Sequence, residues 1–356
     1  MVREISIVDH GLNRALFPVR EIKEGFSARC RITPTGGVIL LINETLLQLQ
    51  ALEKRCFDYV PALHSDIEKF KAGLNGETQL YNLLNAIQLP HWQVLHNKRL
   101  PSYEPYYFQL DLIVLTSDTV YLFDTKQMKG HIHFHDDETV TKTSGNETET
   151  LNNPIHQVKR HERLFQTFLH QQRITTSITI RPYVVLTSPY TELSYPPRLQ
   201  EEIQRYVIRA EAIPKLLSNV HDPMTGNGKI AKMTSLINTN HRPKWRNLLH
   251  DYNLTYANLR LGVPCTQCNY IPVERASNHI RFYCKKCQTY SYENIQAGLV
   301  DYALLINHYC TNKEARQFLS IQDRHTMLRS LQKMSHYTRY TNNKTCYRLI
   351  LPWEQK

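Results

Sequence analysis

No apolar run in this chain reaches about 18 residues, so a bilayer-spanning helix is not expected. Its most apolar early stretch, residues 36–52, is interrupted by Asn43, Glu44 and Gln48. The N-terminus lacks the short apolar core and small-residue cleavage site of a secretory leader. These absences make a cytoplasmic protein without membrane contact the expectation. No internal repeat is evident. Acidic residues are scarce toward the C-terminus: residues 261–356 hold 6 Asp/Glu against 13 Lys/Arg, a surplus of +7 within a whole-chain charge of +11. A basic excess so concentrated favours a polyanionic partner, nucleic acid first.

What is present suffices for two or three domains: 356 residues, 41% of them hydrophobic. Residues 1–35 carry weak periodicity and support no structural assignment, and residues 40–75 look helical. A clear helix is expected from Gly76, with Leu80, Leu83, Leu84 and Ile87 on one stripe and Pro90 ending it. A strand at 92–96, a hairpin at 109–126 and a polar loop or exposed hairpin at 136–150 follow. Asn153 and Pro154 form a cap and first turn for a helix to about residue 171, burying Val158, Phe165, Phe168 and Leu169. A buried strand at 180–189 and a mostly helical stretch over 195–260 come next. This order predicts an α/β fold, a mixed β-sheet flanked by helices.

The hairpin poses a problem. Its two apolar runs, "QLDLIVL" and "TVYLFDTK", each hold an aspartate where a core residue belongs, and an unpaired buried carboxylate is costly. Symmetric closure over Ser117–Asp118 places Leu115 opposite Val120 and, counting back, Asp111 opposite Asp124. Lys126 then shares the face of Asp124. Facing carboxylates either share a proton or hold a cation. Glu77 continues the apolar stripe of its helix and supplies a third acid. Three hard oxygen donors suit Mg²⁺ or Mn²⁺, with Lys126 orienting a nucleophile or offsetting phosphate charge. The chemistry that follows is phosphodiester hydrolysis.

The residues "GE" at 76–77, "QLDLIVLTSDTVYLFDTKQMKGHI" at 109–132 and "NPIHQVKRHERLF" at 153–165 resemble the nuclease-related domain, NERD, a branch of the PD-(D/E)XK nuclease superfamily. The resemblance spans about residues 70–190, and the whole chain from about 70 on looks like longer NERD proteins of bacilli with a C-terminal cysteine module. It implies a restriction-endonuclease-like fold and a catalytic set of Glu77, Asp111, Asp124, Lys126 and Gln157, with the three acids as ligands for Mg²⁺ or Mn²⁺. This chain has Asp124-x-Lys126 where the family usually has Glu-x-Lys, which bears on metal distance. From the residues alone, Gln157 reads equally well as an exposed helix position. Lys159, Arg160 and Arg163 read as a solvated helix face in preference to phosphate-backbone contacts, and His131, His133 and His135 as a half-exposed strand in preference to a zinc site.

Eight cysteines divide into four solitary ones and two tight pairs. Without an export signal that spacing favours metal over disulfides. Cys265, Cys268, Cys284 and Cys287 form C-x2-C-x15-C-x2-C, the pattern of a closed structural Zn²⁺ ribbon. Beyond it, Thr311 and Glu314 make a capping box, a break at 320–322 separates two helices, and a two-stranded wing turns at Asn342–Asn343. A helix-turn-helix or winged-helix-like tail is expected, with Arg324, His325, Arg329 and Lys333 toward DNA and Arg339, Lys344 and Arg348 on phosphates. The expected layout is an N-terminal region (1–69), a nuclease-like domain (70–195), a helical connector (196–260), the ribbon (261–292) and the tail (293–356). The function expected is metal-dependent hydrolysis of nucleic acid, DNA first. The rival is a non-enzymatic DNA-binding protein on a nuclease-like scaffold.

Overall fold

The computed structural model describes residues 41–87, 92–103, 105–174, 178–218, 227–276, 281–335, 337–341 and 344–353. Pro90, the turn at Asn342–Asn343 and residues 1–35 lie outside the described residues, as do the side chains of Arg339 and Lys344.

In chain order the chain forms α1 (Glu44–Arg55), α2 (Pro61–Ile87), β1 (Gln93–Pro101), β2 (Tyr107–Leu115), β3 (Thr119–Lys126) and β4 (Gly130–Phe134). Then come β5 (Val140–Ser144), β6 (Glu147–Leu151), α3 (Pro154–Gln171), β7 (Thr179–Leu186), β8 (Thr191–Ser194), α4 (Gln200–Tyr206) and β9 (Val207–Arg209). Next are α5 (Ile213–Ser218), α6 (Asn227–Asn240), α7 (Leu248–Asp251), β10 (Glu274–Arg275), β11 (Phe282–Cys284) and β12 (Thr289–Ser291). The last are α8 (Asn294–Leu305), β13 (Tyr309–Thr311), α9 (Asn312–Leu319), α10 (Arg324–Met334), β14 (Tyr337–Thr341) and β15 (Lys344–Arg348). Two compact units result, one mainly Lys69–Lys244, the other Glu44–Glu68 with Trp245–Lys356.

In the first unit a five-stranded sheet runs β1-β2-β3-β7-β9, antiparallel through β3 and parallel after it. Alternation along β3 sends Tyr121 and Phe123 into one apolar layer with Leu80 and Leu84 of α2 and Ile213 and Leu217 of α5. Val120 and Leu122 join the opposite layer, with Phe165, Phe168 and Leu169 of α3 and Ile230, Met233 and Ile237 of α6. The sheet is thus buried on both faces, as the mixed α/β expectation requires. A second sheet, β6-β5-β4-β8, takes up the polar stretch expected as a loop or hairpin; it is the β5–β6 hairpin.

α3 starts where its cap predicts: the Asn153 side chain accepts from the Ile155 N–H, and Pro154 occupies the first turn, where no N–H is needed. α2 departs from expectation. It begins at Pro61, well before Gly76, and passes through Gly76 without a break. A Cβ at Gly76 would sit 2.8 Å from Thr187 Oγ1 and 3.1 Å from the Gln127 side chain. The glycine therefore lets α2 approach the ends of β3 and β7. Gly76→Val is expected to push the helix off the strands and lower the melting temperature by several degrees, read by thermal unfolding. An unchanged melting temperature would show that the close approach is unimportant.

The second unit joins an early helix to the C-terminal residues. Arg55 of α1 is fully buried. Its Nε donates to Asp301 Oδ2 of α8 at 2.8 Å, and its Nη1 donates to the carbonyls of Arg260 and Gly262 at 3.0 and 3.2 Å. The guanidinium lies 4.4 Å from the centre of the Phe318 ring in α9, and Lys54 also pairs with Asp301. Gly298 of α8 packs closely against Leu319: a Cβ there would come within 2.4 Å of Leu319 Cδ2, so the leucine would have to move. Around this core, Thr311 and Glu314 cap α9 reciprocally as expected, Ser320 ends it in a left-handed conformation, and Asp323 caps α10. β13-β15-β14 forms a small antiparallel sheet behind the two helices. No helix among the described residues is long and apolar enough to cross a membrane.

Candidate active site and thiolate cluster

The hairpin closes as the even loop predicts. Leu115 pairs with Val120 and Leu112 with Phe123. One step further along that register stand Asp111 and Asp124. Asp111 Oδ2 accepts from the Thr125 N–H at 2.9 Å and from the Thr125 hydroxyl at 3.2 Å. Asp124 is buried; its Oδ1 accepts from Gln157 Nε2 at 2.8 Å, and its Oδ2 lies 2.6 Å from Lys126 Nζ. That ion pair is close but poorly aligned, so among the described residues Asp124 Oδ2 has no hydrogen bond of proper geometry. Lys126 Nζ in turn donates to Gln157 Oε1 at 3.2 Å. Asp124, Lys126 and Gln157 close a ring of contacts between β3 and α3, so Gln157 is held against the acid–lysine pair.

Glu77 takes a different partner. Its Oε2 lies 2.6 Å from Nε2 of His96 on β1, a residue that sequence reasoning missed. His96 sits across from Leu112, and its only sequence signal was a polar residue inside a strand. Burial holds the His96 imidazole down at about 4, so it is neutral near pH 7. Asn97, the next residue, adopts φ 50° and lies at the register position facing Asp111. Left-handed backbone at a non-glycine residue is uncommon in a strand, and here it falls beside the acids.

The acids act on one another electrostatically. Burial first, then the charge of Asp124, pushes Glu77 up to about 7, with Lys126 opposing. Burial, then Asp124 and Glu77, pushes Asp111 up to about 8. Both carboxyls therefore keep a proton in the folded chain over a range where the unfolded chain has released it, and folding is destabilised progressively as pH rises from about 4 to about 8. Replacing Asp111 by Asn removes its share of that dependence and leaves the share of Glu77. In chelator, Asp111→Asn is expected to gain stability over wild type as pH rises through the window, measured by chemical unfolding. A flat difference would contradict this.

The donor chemistry fits a hard divalent cation: buried or half-buried carboxyl groups crowded enough to raise one another's pKa and, among the described residues, one carboxylate oxygen without an aligned donor. The spacing is looser than three acids meeting around one ion. Among the described residues, only Cys265, Cys268, Cys284 and Cys287 have ligand atoms all within 4.8 Å of one another. Asp111 and Asp124 are the nearest to a shared site by register, with Glu77 on its own strand-facing helix.

Alongside Asp111 and Gln157 opens a cleft of about 430 Å³, lined also by Tyr107, Phe108, Gln109, Arg160, His161 and Leu164. Arg160, expected on a solvated helix face, thus borders the site. His161 is buried one turn after Gln157, and burial lowers its pKa despite the attraction of Asp124. The positions 157, 161 and 164 share one helix face, a spacing that could have revealed His161. The three histidines in and just after β4 have partners of their own: His131 Nε2 and His133 Nδ1 both contact Ser194 Oγ, at 2.6 and 2.5 Å, and His135 Nε2 contacts Thr141 Oγ1. They are half-buried on one face of a strand whose Ile132 and Phe134 fill the core.

In the second unit the four paired cysteines converge. Sγ–Sγ separations are 3.6 Å for Cys265–Cys287 and 3.5 Å for Cys268–Cys284. Tetrahedral bonds of about 2.3 Å imply edges of about 3.8 Å, so the thiols fit a single metal ion with no open position. The short β10-β11-β12 sheet carries this cluster. In the tail, Arg324, His325, Arg329 and Lys333 are exposed on α10, and Arg348 is half-buried on β15.

Residues 72–187 match the family model described as NERD, nuclease-related domain. No curated protein and no solved structure matches the chain significantly. Across residues 72–187 the chain carries a nuclease-related domain of the NERD family.

Proposed function

We propose that the first unit hydrolyses phosphodiester bonds of nucleic acid, DNA first, with Mg²⁺ or Mn²⁺ bound by Asp111 and Asp124 and approached by Glu77. The observation that carries this reading is the ring of contacts joining Asp124, Lys126 and Gln157 beside Asp111. A bound divalent cation would supply Lewis-acid stabilisation of the phosphate and an acidified water. Lys126 is placed to hold a nucleophilic water or to offset charge developing on the phosphate. Gln157 fixes the Asp124 carboxylate and keeps the lysine amine near it. Glu77 and His96 form a neighbouring polar pair that tunes the negative charge of the site. The test is incubation of the full chain with plasmid and linear DNA in Mg²⁺, Mn²⁺ or chelator; cleavage confined to the metal arms supports the reading, and none in any arm overturns it.

A second reading draws on the spacing of the acids, not all within 4.8 Å, and on the protein partners that Asp111, Asp124 and Glu77 already have. Here the fold is a scaffold and the α10 tail binds DNA through phosphate contacts. It predicts salt-sensitive binding that survives Asp124→Ala and disappears without residues 261–356.

For the thiolate cluster the proposed occupant is structural Zn²⁺. One zinc per chain is expected by elemental analysis, with a chelator unfolding the ribbon; zinc absent from freshly purified protein would argue against it.

A further inference from the structure

The cleft beside Asp111 has a wall that hydrolysis of a phosphodiester does not require. Tyr107 opens β2 and lines the cleft together with Asp111 and Arg160. The residue is 43% exposed, and the Arg99 guanidinium sits 4.0 Å from the centre of its ring. Arg99 is itself held: Nη1 donates to the Arg242 carbonyl, and its backbone N–H donates to His241 Nδ1. One ring face is thus capped by a fixed cation. The turn before β2 carries two further exposed tyrosines, Tyr103 and Tyr106, and is closed by hydrogen bonds from the Ser102 N–H to the Tyr106 carbonyl and from the Tyr106 N–H to the Tyr103 carbonyl.

An aromatic ring backed by arginine is a platform for a nucleobase, because every base has a π-face and the ring needs no sequence match. A base inside a duplex has both faces covered by its neighbours and cannot use such a platform. The volume agrees: about 430 Å³ is at the scale of pockets that take one small-molecule-sized group, roughly 300–1,000 Å³. The opposite wall, α3, supplies Arg160 for a phosphate and Gln157 beside the acids.

We propose that this cleft receives one unpaired nucleotide, from a single strand or an opened duplex end, with its base against Tyr107 and its phosphate between Arg160 and the Asp111–Asp124 pair. The proposal rests on the nuclease reading and names its substrate class. Tyr107 is a substrate-binding residue in it, while Arg99 positions the ring.

The test is binding, so it does not depend on cleavage. Fluorescence anisotropy of the full chain in Ca²⁺ is measured with one sequence as single-stranded DNA, blunt duplex and duplex with an unpaired tail. Single strand and tailed duplex are expected to bind more tightly than blunt duplex. Tyr107→Ala should weaken binding to both unpaired probes by about fivefold to a hundredfold, the range for loss of one stacked base, and Tyr107→Phe should retain it. Blunt-duplex affinity should not respond to either variant. A photo-crosslink from a halogenated pyrimidine should map to the peptide containing Tyr107. Equal affinity for all three probes, or a silent Tyr107→Ala, overturns the inference while leaving the nuclease reading intact if blunt duplex is still cleaved. Crosslinks confined to residues beyond 293 overturn it as well. Absence of binding to every probe overturns both.

Discussion

Lys126→Ala is expected to reduce metal-dependent cleavage by about a hundredfold to a thousandfold, the usual cost of removing one preorganised electrostatic group at a reacting centre. The lysine ammonium lies 2.6 Å from Asp124 and within hydrogen-bond distance of Gln157, so its loss removes the cation that pairs with Asp124. Truncation also frees Gln157 Oε1. The fold should tolerate the change, because Lys126 ends β3 and is half-buried, outside both apolar layers. Cleavage assays with matched circular dichroism separate the two effects. Equal activity in Lys126→Ala would reject the assignment, whereas lost activity with a lost fold would call for Lys126→Met, which keeps the aliphatic stem.

Asp301→Ala is expected to destabilise the second unit by about 3–5 kcal/mol, the typical cost of leaving a buried charge without its partner. Arg55 has no exposed surface, and its Nη2 has no hydrogen-bond partner among the described residues. Removal of the carboxylate would leave it only carbonyl acceptors and the Phe318 ring, with the Lys54 amine beside it, an amine whose pKa burial already lowers. Stabilities of whole domains are only about 5–15 kcal/mol, so this loss would bring the unit close to unfolding. Urea unfolding followed by tryptophan fluorescence reports it, since Trp245 and Trp353 belong to this unit. A loss below about 1 kcal/mol would mean the pair is solvated in practice. The same geometry implies that a fragment lacking α1 forms no stable C-terminal unit.

The parts that were legible in the sequence are those set by local rules. Asn153–Pro154 and the stripe Val158, Phe165, Phe168 and Leu169 placed α3 because capping and a 3.6-residue period act within the helix itself. The even loop after Leu115 set the β2–β3 register as far as Leu112 and Phe123, one step short of Asp111 and Asp124. The four cysteines were legible because two C-x2-C pairs have the spacing of a shared metal site, and their sulfurs converge within 4.8 Å of one another. What stayed hidden depends on distant partners. Gly76 read as a helix start, because the close approach of Thr187 that makes glycine necessary inside α2 has no signature nearby. α1 gave no hint of its role, since Arg55 meets Asp301 across 246 positions. His96, left-handed Asn97 and the Tyr107 wall were missed for the same reason: each acquires meaning only when β1 and β2 are paired beside α2 and α3.

The central claim, a divalent cation bridging two strands, is tested most directly by diffraction from crystals of the full chain grown with Mn²⁺, using its anomalous signal. The account predicts a peak between the carboxylates of Asp111 and Asp124, with the Lys126 amine drawn off its present contact. A Mn²⁺-saturated crystal with no peak between those two acids would contradict it.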